Sequence, residues 1–274
     1  MKKFAIFTAS MKNAEQLHLY PMPNKRVTAF STTRHGGWGS GAYGSFNCTP
    51  YTGDNPDAVL ANQELLCKLV DVTAERLIVP YQTHSCNVLV IDEAFMQLSG
   101  EARHTMLQEK DAIITSIPNV CLCVSTADCV PVLLYDSAKE VVAAVHAGWR
   151  GTVGEIVTHT LQAMHESYGT QARDVHAIIG PCISLKAFEV GIEVYESFEH
   201  AGYDMAQIAH WYPEKEKYHI DLPMANRLQL LAKGVTLEQI HDSHICTYTQ
   251  HEDFFSARRL GIRSGRILNG IVMK

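Results

Sequence analysis

The sequence predicts an α/β protein of mixed β-sheets flanked by helices, and three observations carry that prediction. Four apolar, β-branched runs lie close together at 111–116 (DAIITS), 120–126 (VCLCVST), 131–137 (PVLLYDS) and 140–148 (EVVAAVHAG), and each reads as a buried strand. A helical stripe of Val153, Ile156, Val157, Leu161, Met164 and Tyr168 follows, closed by Gly169, and DVHAIIG (174–180) then returns as a strand, which makes a β-α-β crossover. Strand clusters interspersed with helices, without strict alternation, favour mixed sheets over a purely parallel one.

Before this block, RVTAFSTT (26–33) reads as a strand, and the glycine-rich loop from Arg34 to Asn47 is too long for a hairpin turn. Asp54-Asn55-Pro56 supplies a cap and a first-turn proline for a helix with Val59, Asn62, Leu66, Leu69 and Val70 at helical spacing. After it, helices are expected near 186–199 and 223–241, and strands near 243–248 and 266–273. No fixed-period repeat, low-complexity tract or Pro/Ser-rich linker interrupts the chain, so one domain over 1–274 is expected, with 1–25 as an N-terminal segment.

Composition narrows the function classes. With 274 residues, 46% of them hydrophobic, the chain can bury a full core. The short apolar patch after the first two lysines is interrupted by Glu15 and His18, which argues against a signal peptide, and no stretch approaches the roughly 18 apolar residues of a spanning helix. Eight cysteines without the dense spacing of a secreted scaffold read as reduced thiols, so a cytoplasmic location and no membrane are expected. A formal charge of -6 argues against nucleic acid as a partner and leaves small molecules.

Three short segments at strand ends carry candidate chemistry: Gln82-Thr83-His84-Ser85, Thr126-Ala127-Asp128-Cys129 and His146-Ala147-Gly148-Trp149-Arg150-Gly151. His84, Cys129 and His146 form a thiolate and two imidazoles, a good zinc set with a fourth position left for water or substrate, as in catalytic sites. Their separations of 45 and 17 residues match no local ligand signature. A lone cysteine or histidine at a strand end is usually a packing residue, and the same side chains also suit a thiol hydrolase, with Cys129 as nucleophile, His146 as base and Asp128 or Asn47 as orienting group. Residue chemistry leaves both open.

QTHS, TADCVPVLL, HAGWRG and GPCI, preceded by STTRHGG…FN and followed by FFSARR…SGR, resemble the laccase-domain, polyphenol-oxidase-like family of YfiH and YlmD from about Val27 to the C-terminus. The resemblance implies a single-domain α/β/β/α arrangement of mixed sheets with zinc on His84, Cys129 and His146. It also implies phosphorolysis of adenosine, inosine and S-methyl-5′-thioadenosine, with adenosine deamination, so purine nucleosides and phosphate are the expected partners. A multicopper oxidase needs paired His-x-His ligands, and the chain contains no His-x-His. Cu²⁺ in the Cys/His₂ set, with polyphenol oxidation, stays as an alternative because affinity favours copper over zinc at such donors. The cytidine-deaminase signature is also missing, since Pro181-Cys182 has no second cysteine three residues on. A non-enzymatic or proofreading partner of cell-wall synthesis remains a further class, and the oligomeric expectation is a monomer or weak homodimer.

Substrate contacts are sought in the same motifs. Arginine forks suit phosphate, which points to Arg34 first and then to Arg150, Arg258 and Arg259. Gly36 and Gly37 would let backbone N–H groups approach an anion, and Asn47, Gln82 and Asp128 complete the candidate set. Asp128 adjoins Cys129 and on a continuing strand would point to the opposite face. Cys121 and Cys123 share one face of a strand and read as core.

Overall fold

The structure, a computed structural model, describes residues 15–274. The apolar patch at the extreme N-terminus falls in 1–14 and lies outside the described residues. The strands are β1 (Leu17–Leu19), β2 (Val27–Thr32), β3 (Leu77–Ile78), β4 (Val88–Val90), β5 (Ala112–Thr115), β6 (Cys121–Thr126), β7 (Val130–Asp136), β8 (Val141–Ala147), β9 (Val175–Ile179), β10 (Glu189–Val190), β11 (Ala209–Tyr212), β12 (Lys217–Ile220), β13 (Ile240–Asp242) and β14 (Ile267–Met273). They make a five-stranded sheet in the order β1-β2-β14-β6-β3, a six-stranded sheet in the order β13-β9-β7-β8-β5-β4, and a small sheet β10-β12-β11.

Period-two alternation explains how the two large sheets stack. In β7, Leu133 and Tyr135 face the apolar layer that also holds Val27, Leu122, Val124 and Ile271 of the other sheet. The intervening Val130, Val132 and Leu134 face helix residues Ile156, Val157, Leu161 and Met164. The outer face of the five-stranded sheet carries Phe30, Cys121, Cys123 and Leu268 against Leu66 and Val70 of a helix. The layers therefore run α/β/β/α with mixed sheets, and strands covered on both faces are why the middle of the sequence is almost continuously apolar.

The helices that cover these faces are locally well specified. In α1 (Pro56–Val70) the Asn55 side chain accepts the N–H groups of Asp57 and Ala58, Pro56 opens the first turn, and Asp71 ends the helix with φ 55°. Trp149–Val153 is a short helix of its own, α2, separated from α3 (Ile156–Tyr168) by Glu155 at φ 59°. The chain then passes to β9, which lies parallel to β8 with β7 between them, so the expected crossover is present.

The later part departs from expectation in three places. The helix expected over 186–199 begins only at Ile192 (α4, Ile192–His200), because Glu189 and Val190 first pair with β12. The helix expected over 223–241 is α5 (Leu222–Ala232) and stops before Gly234, whose φ of 93° no helix accommodates. The strand expected near 243–248 is instead β13, three residues earlier, parallel to β9, while Cys246 makes only an isolated bridge with Cys182. Apolar spacing alone does not register these edge pairings, since they are set by the neighbouring strand.

Candidate metal centre

Three chain turns bring His84, Cys129 and His146 together. His84 lies in the loop after β3 with φ 62°, Cys129 ends the turn between β6 and β7, and His146 is the penultimate residue of β8. The β6–β7 turn is where the chain leaves the five-stranded sheet for the six-stranded one, and Asp128 within it has φ 89°. One donor atom from each of the three residues lies within 4.8 Å of the others. His84 is exposed, Cys129 half-buried and His146 buried, so the group sits at the surface end of the strands.

Cys129 Sγ is 3.8 Å from His84 Nε2. Tetrahedral zinc bonds of about 2.3 Å to sulfur and 2.0 Å to nitrogen separate such donors by roughly 3.5 Å, so the spacing and the softness of this donor set fit the ion. A metal at this place would be held by these three side chains. Gly148 makes the convergence possible, because a Cβ there would stand 2.7 Å from His84 Cδ2 and 3.1 Å from Cys129 Sγ.

Asp111, which the sequence reading did not select, organises the group. Its carboxylate is fully buried just before β5, and the pairing of Ala112 with Val145 sets it opposite His146. His146 Nδ1 donates to Oδ1 at 2.7 Å, the backbone N–H of His84 donates to the same oxygen at 3.0 Å, and Oδ2 accepts from Ser85 N and Oγ, both at 2.7 Å. With Nδ1 so engaged, His146 presents Nε2 to the centre. Burial acts to raise the Asp111 carboxyl, but the charge and hydrogen bond of His146 and the Ser85 bonds hold it at about 2. For Cys129, burial again acts upward and is outweighed by His146 and His84, which bring the thiol to about 6. Burial acts to lower His146, yet Cys129 and Asp111 raise it to about 9. Without metal, Cys129 and His146 thus each favour the other's charged form, on a buried carboxylate. An acidic residue opening an otherwise apolar strand is the signal that finds Asp111, since a buried charge must be paired.

The donors open on a cleft of 460 Å³ walled by Gln82, Ser125, Thr126, Tyr51, Tyr81 and Arg266. Among the expected substrate contacts, Gln82 lines it, with its amide gripping Ser125 through N–H, carbonyl and hydroxyl bonds. The others are placed elsewhere. Arg34 donates to the carbonyls of Gly44 and His251 and stacks on Phe255. Gly37 lacks room for a Cβ, which would meet Ser45 O at 2.5 Å, and Gly36 abuts Gln16. Asn47 is buried and bonds Thr52, Asp54 and the Arg266 N–H. Asp128 does not line the cleft; it sits in a turn with φ 89° and not on a continuing strand, and accepts from Thr247 Oγ1, Ser256 Oγ and Arg258 N. Arg150 lies over Trp149, Arg258 donates to Glu189 O, and Arg259 lies over Tyr248. Arg266, overlooked within the SGR segment, is the arginine that reaches the cleft.

Fold and site together define an α/β/β/α sandwich with a three-donor, candidate metal-binding centre at the sheet-switching turn. Residues 28–274 match the family described as multi-copper polyphenol oxidoreductase laccase, and the chain belongs to that family, whose members include YfiH and YlmD. It is 53% identical over 247 residues to a purine nucleoside phosphorylase of Bacteroides thetaiotaomicron, covering 90% of this chain and 92% of the relative. It is 43% identical over 248 residues to adenosine deaminase RL5 of an unknown prokaryotic organism, covering 90% of this chain and 94% of the relative. The crystal structure of Bacillus licheniformis YfiH superposes with a TM-score of 0.88 at 27% identity, over 96% of this chain and 98% of that one.

Proposed function

We propose that this chain is a zinc-dependent purine nucleoside phosphorylase acting on adenosine, inosine and S-methyl-5′-thioadenosine, with adenosine deaminase activity. The observation that carries the reading is the Asp111-anchored group of His84, Cys129 and His146, open to a cleft of nucleoside size. The names of the similar phosphorylase and deaminase support both reactions.

His84, Cys129 and His146 would hold a zinc ion, which would supply a Lewis acid suited to polarising an oxygen of phosphate or water. Asp111 keeps the His146 tautomer fixed and holds the loop of His84 in its left-handed conformation, so the donors are preorganised. The mouth pair Tyr51–Tyr81, edge-to-face at 5.0 Å, offers ring surface for a purine, and the Ser125 and Thr126 hydroxyl side chains lie on the cleft wall. Three donors fall short of the ligands a trinuclear copper cluster needs, so copper in this set and phenol oxidation remain a secondary chemistry.

Eight free cysteines support a reducing, cytoplasmic setting, and no helix of the described residues is long and apolar enough to cross a membrane. We place the activity in one domain spanning the chain, working as a monomer or weak homodimer. The test is turnover of inosine and adenosine, with and without phosphate, on protein of measured metal content. Phosphate-dependent hypoxanthine release that tracks zinc supports the reading, and turnover indifferent to phosphate and metal overturns it.

The Asp111–His146–Cys129 chain also matches a thiol hydrolase, in which a carboxylate orients the base of a thiolate. That reading leaves His84 without a role, and it predicts activity that survives chelation.

A further inference from the structure

The cleft contains one cation that the three-donor group does not use. Arg266 is half-buried in the wall shared with Cys129; among the described residues it makes no direct salt bridge, although the charges of Cys129 and Asp128 act on it from nearby. Its Nη1 donates to the carbonyls of Ser264 at 2.8 Å and Gly265 at 3.0 Å, and its Nη2 to Ile262 O at 3.0 Å. These bonds hold one edge of the guanidinium against its own loop. The edge formed by Nε–H and the second Nη2 hydrogen has no protein acceptor among the described residues, and it is the fork that matches two oxygens of a phosphate.

The position of this arginine is fixed from behind. Its backbone N–H donates to Asn47 Oδ1 at 3.1 Å, and buried Asn47 is tied through Nδ2 to Thr52 and Asp54, each at 3.0 Å. Asn47 therefore acts on the cleft through Arg266. Burial in the cleft wall acts against the guanidinium charge, the nearby Cys129 and Asp128 act in its favour, and a bound anion at the free edge would add to that favour. The same cleft also carries Tyr51 and Tyr81, whose aromatic rings differ in character from the arginine.

We propose that Arg266 seats the phosphate co-substrate and thereby separates phosphorolysis from deamination within one cleft. The inference rests on the phosphorylase reading above. In phosphorolysis an oxygen of HPO₄²⁻ forms a bond to C1′ and the C1′–N9 bond breaks. The electron pair stays on the purine, the phosphate proton passes to a purine nitrogen, and ribose 1-phosphate and the free base leave. Deamination consumes water instead: the water oxygen forms a bond to C6, the C6–amino bond breaks, the amino group takes up a proton from the water and leaves as ammonia, and no phosphate is used. Loss of the Arg266 fork therefore weakens the first reaction far more than the second.

The experiment compares Arg266→Gln and Arg266→Lys with the parent protein, measuring the KM for phosphate and for inosine, adenosine deamination without phosphate, zinc content and melting temperature. Loss of charge-assisted hydrogen bonds predicts a phosphate KM raised about 10- to 100-fold in R266Q, against a smaller change in the inosine KM. R266K keeps the charge without the two-point contact and shows a smaller rise; it carries the test if R266Q does not fold. An unchanged phosphate KM in a zinc-loaded variant overturns the inference and spares the phosphorylase reading. A parent protein with no phosphate-dependent base release overturns both.

Discussion

Asp111 joins two of the three donors at a single oxygen, accepting from His146 Nδ1 at 2.7 Å and from the backbone N–H of His84 at 3.0 Å through Oδ1. One buried carboxylate thus sets the ring orientation of one donor and the main-chain path of another. Asp111→Asn keeps the shape but not the charge, and its amide nitrogen cannot accept the converging N–H groups. Outer-shell partners of this kind are worth about 10- to 100-fold in metal affinity, so D111N loses zinc in competition with a chromophoric chelator at lower chelator concentration than the parent. Breaking a buried charged pair also costs about 3–5 kcal/mol, visible in denaturant unfolding.

Cys129→Ala removes the thiolate from the donor set. The account expects zinc content to fall and both nucleoside activities to fall with it. Treating the intact protein with a chelator gives the same loss, reversed by added zinc. Full turnover by the metal-free protein, abolished by thiol alkylation, is the result that favours the hydrolase reading.

Gly148 faces the centre without a side chain, and the methyl of Gly148→Ala would stand 2.7 Å from His84 Cδ2 and 3.1 Å from Cys129 Sγ. The imidazole must move by several tenths of an ångström. Overpacking of this kind typically costs about 1–3 kcal/mol, and here it is expected chiefly as weakened metal affinity, because exposed His84 yields more readily than buried β8. Unchanged zinc affinity in a folded G148A would contradict this placement.

Arg34 and Arg266 separate by location. Arg34→Ala removes a clamp on the Gly44 and His251 carbonyls and a stack on Phe255, so its expected effect is a stability loss of about 1–3 kcal/mol with little change in the phosphate KM. A phosphate KM raised as far as in R266Q would return Arg34 to the site.

Much of this organisation is legible in the residues. The runs between 111 and 148 announce their strands because both faces are buried, and Asn55-Pro56 announces α1 because cap chemistry is local. His84, Cys129 and His146 stand out as unusual groups at strand ends. Asp111 does not, because its role depends on the β5–β8 register that sets it against His146, and register is a property of two strands. Arg266 escaped for a related reason: its motif is shared with Arg258 and Arg259, and only the packing of the 262–266 loop on Asn47 turns it toward the cleft. Gly234 and the β13–β9 pairing divide the long helix expected over 223–241. The spacing of its apolar residues carries no mark of that division.

The most direct measurement of the central claim is a titration of zinc into metal-free protein in phosphate buffer, following hypoxanthine and ribose 1-phosphate released from inosine. The account predicts that the rate rises in proportion to zinc and levels off at one ion per chain, with no response in C129A. Base release that is already complete without metal, or that never appears with it, would contradict the account.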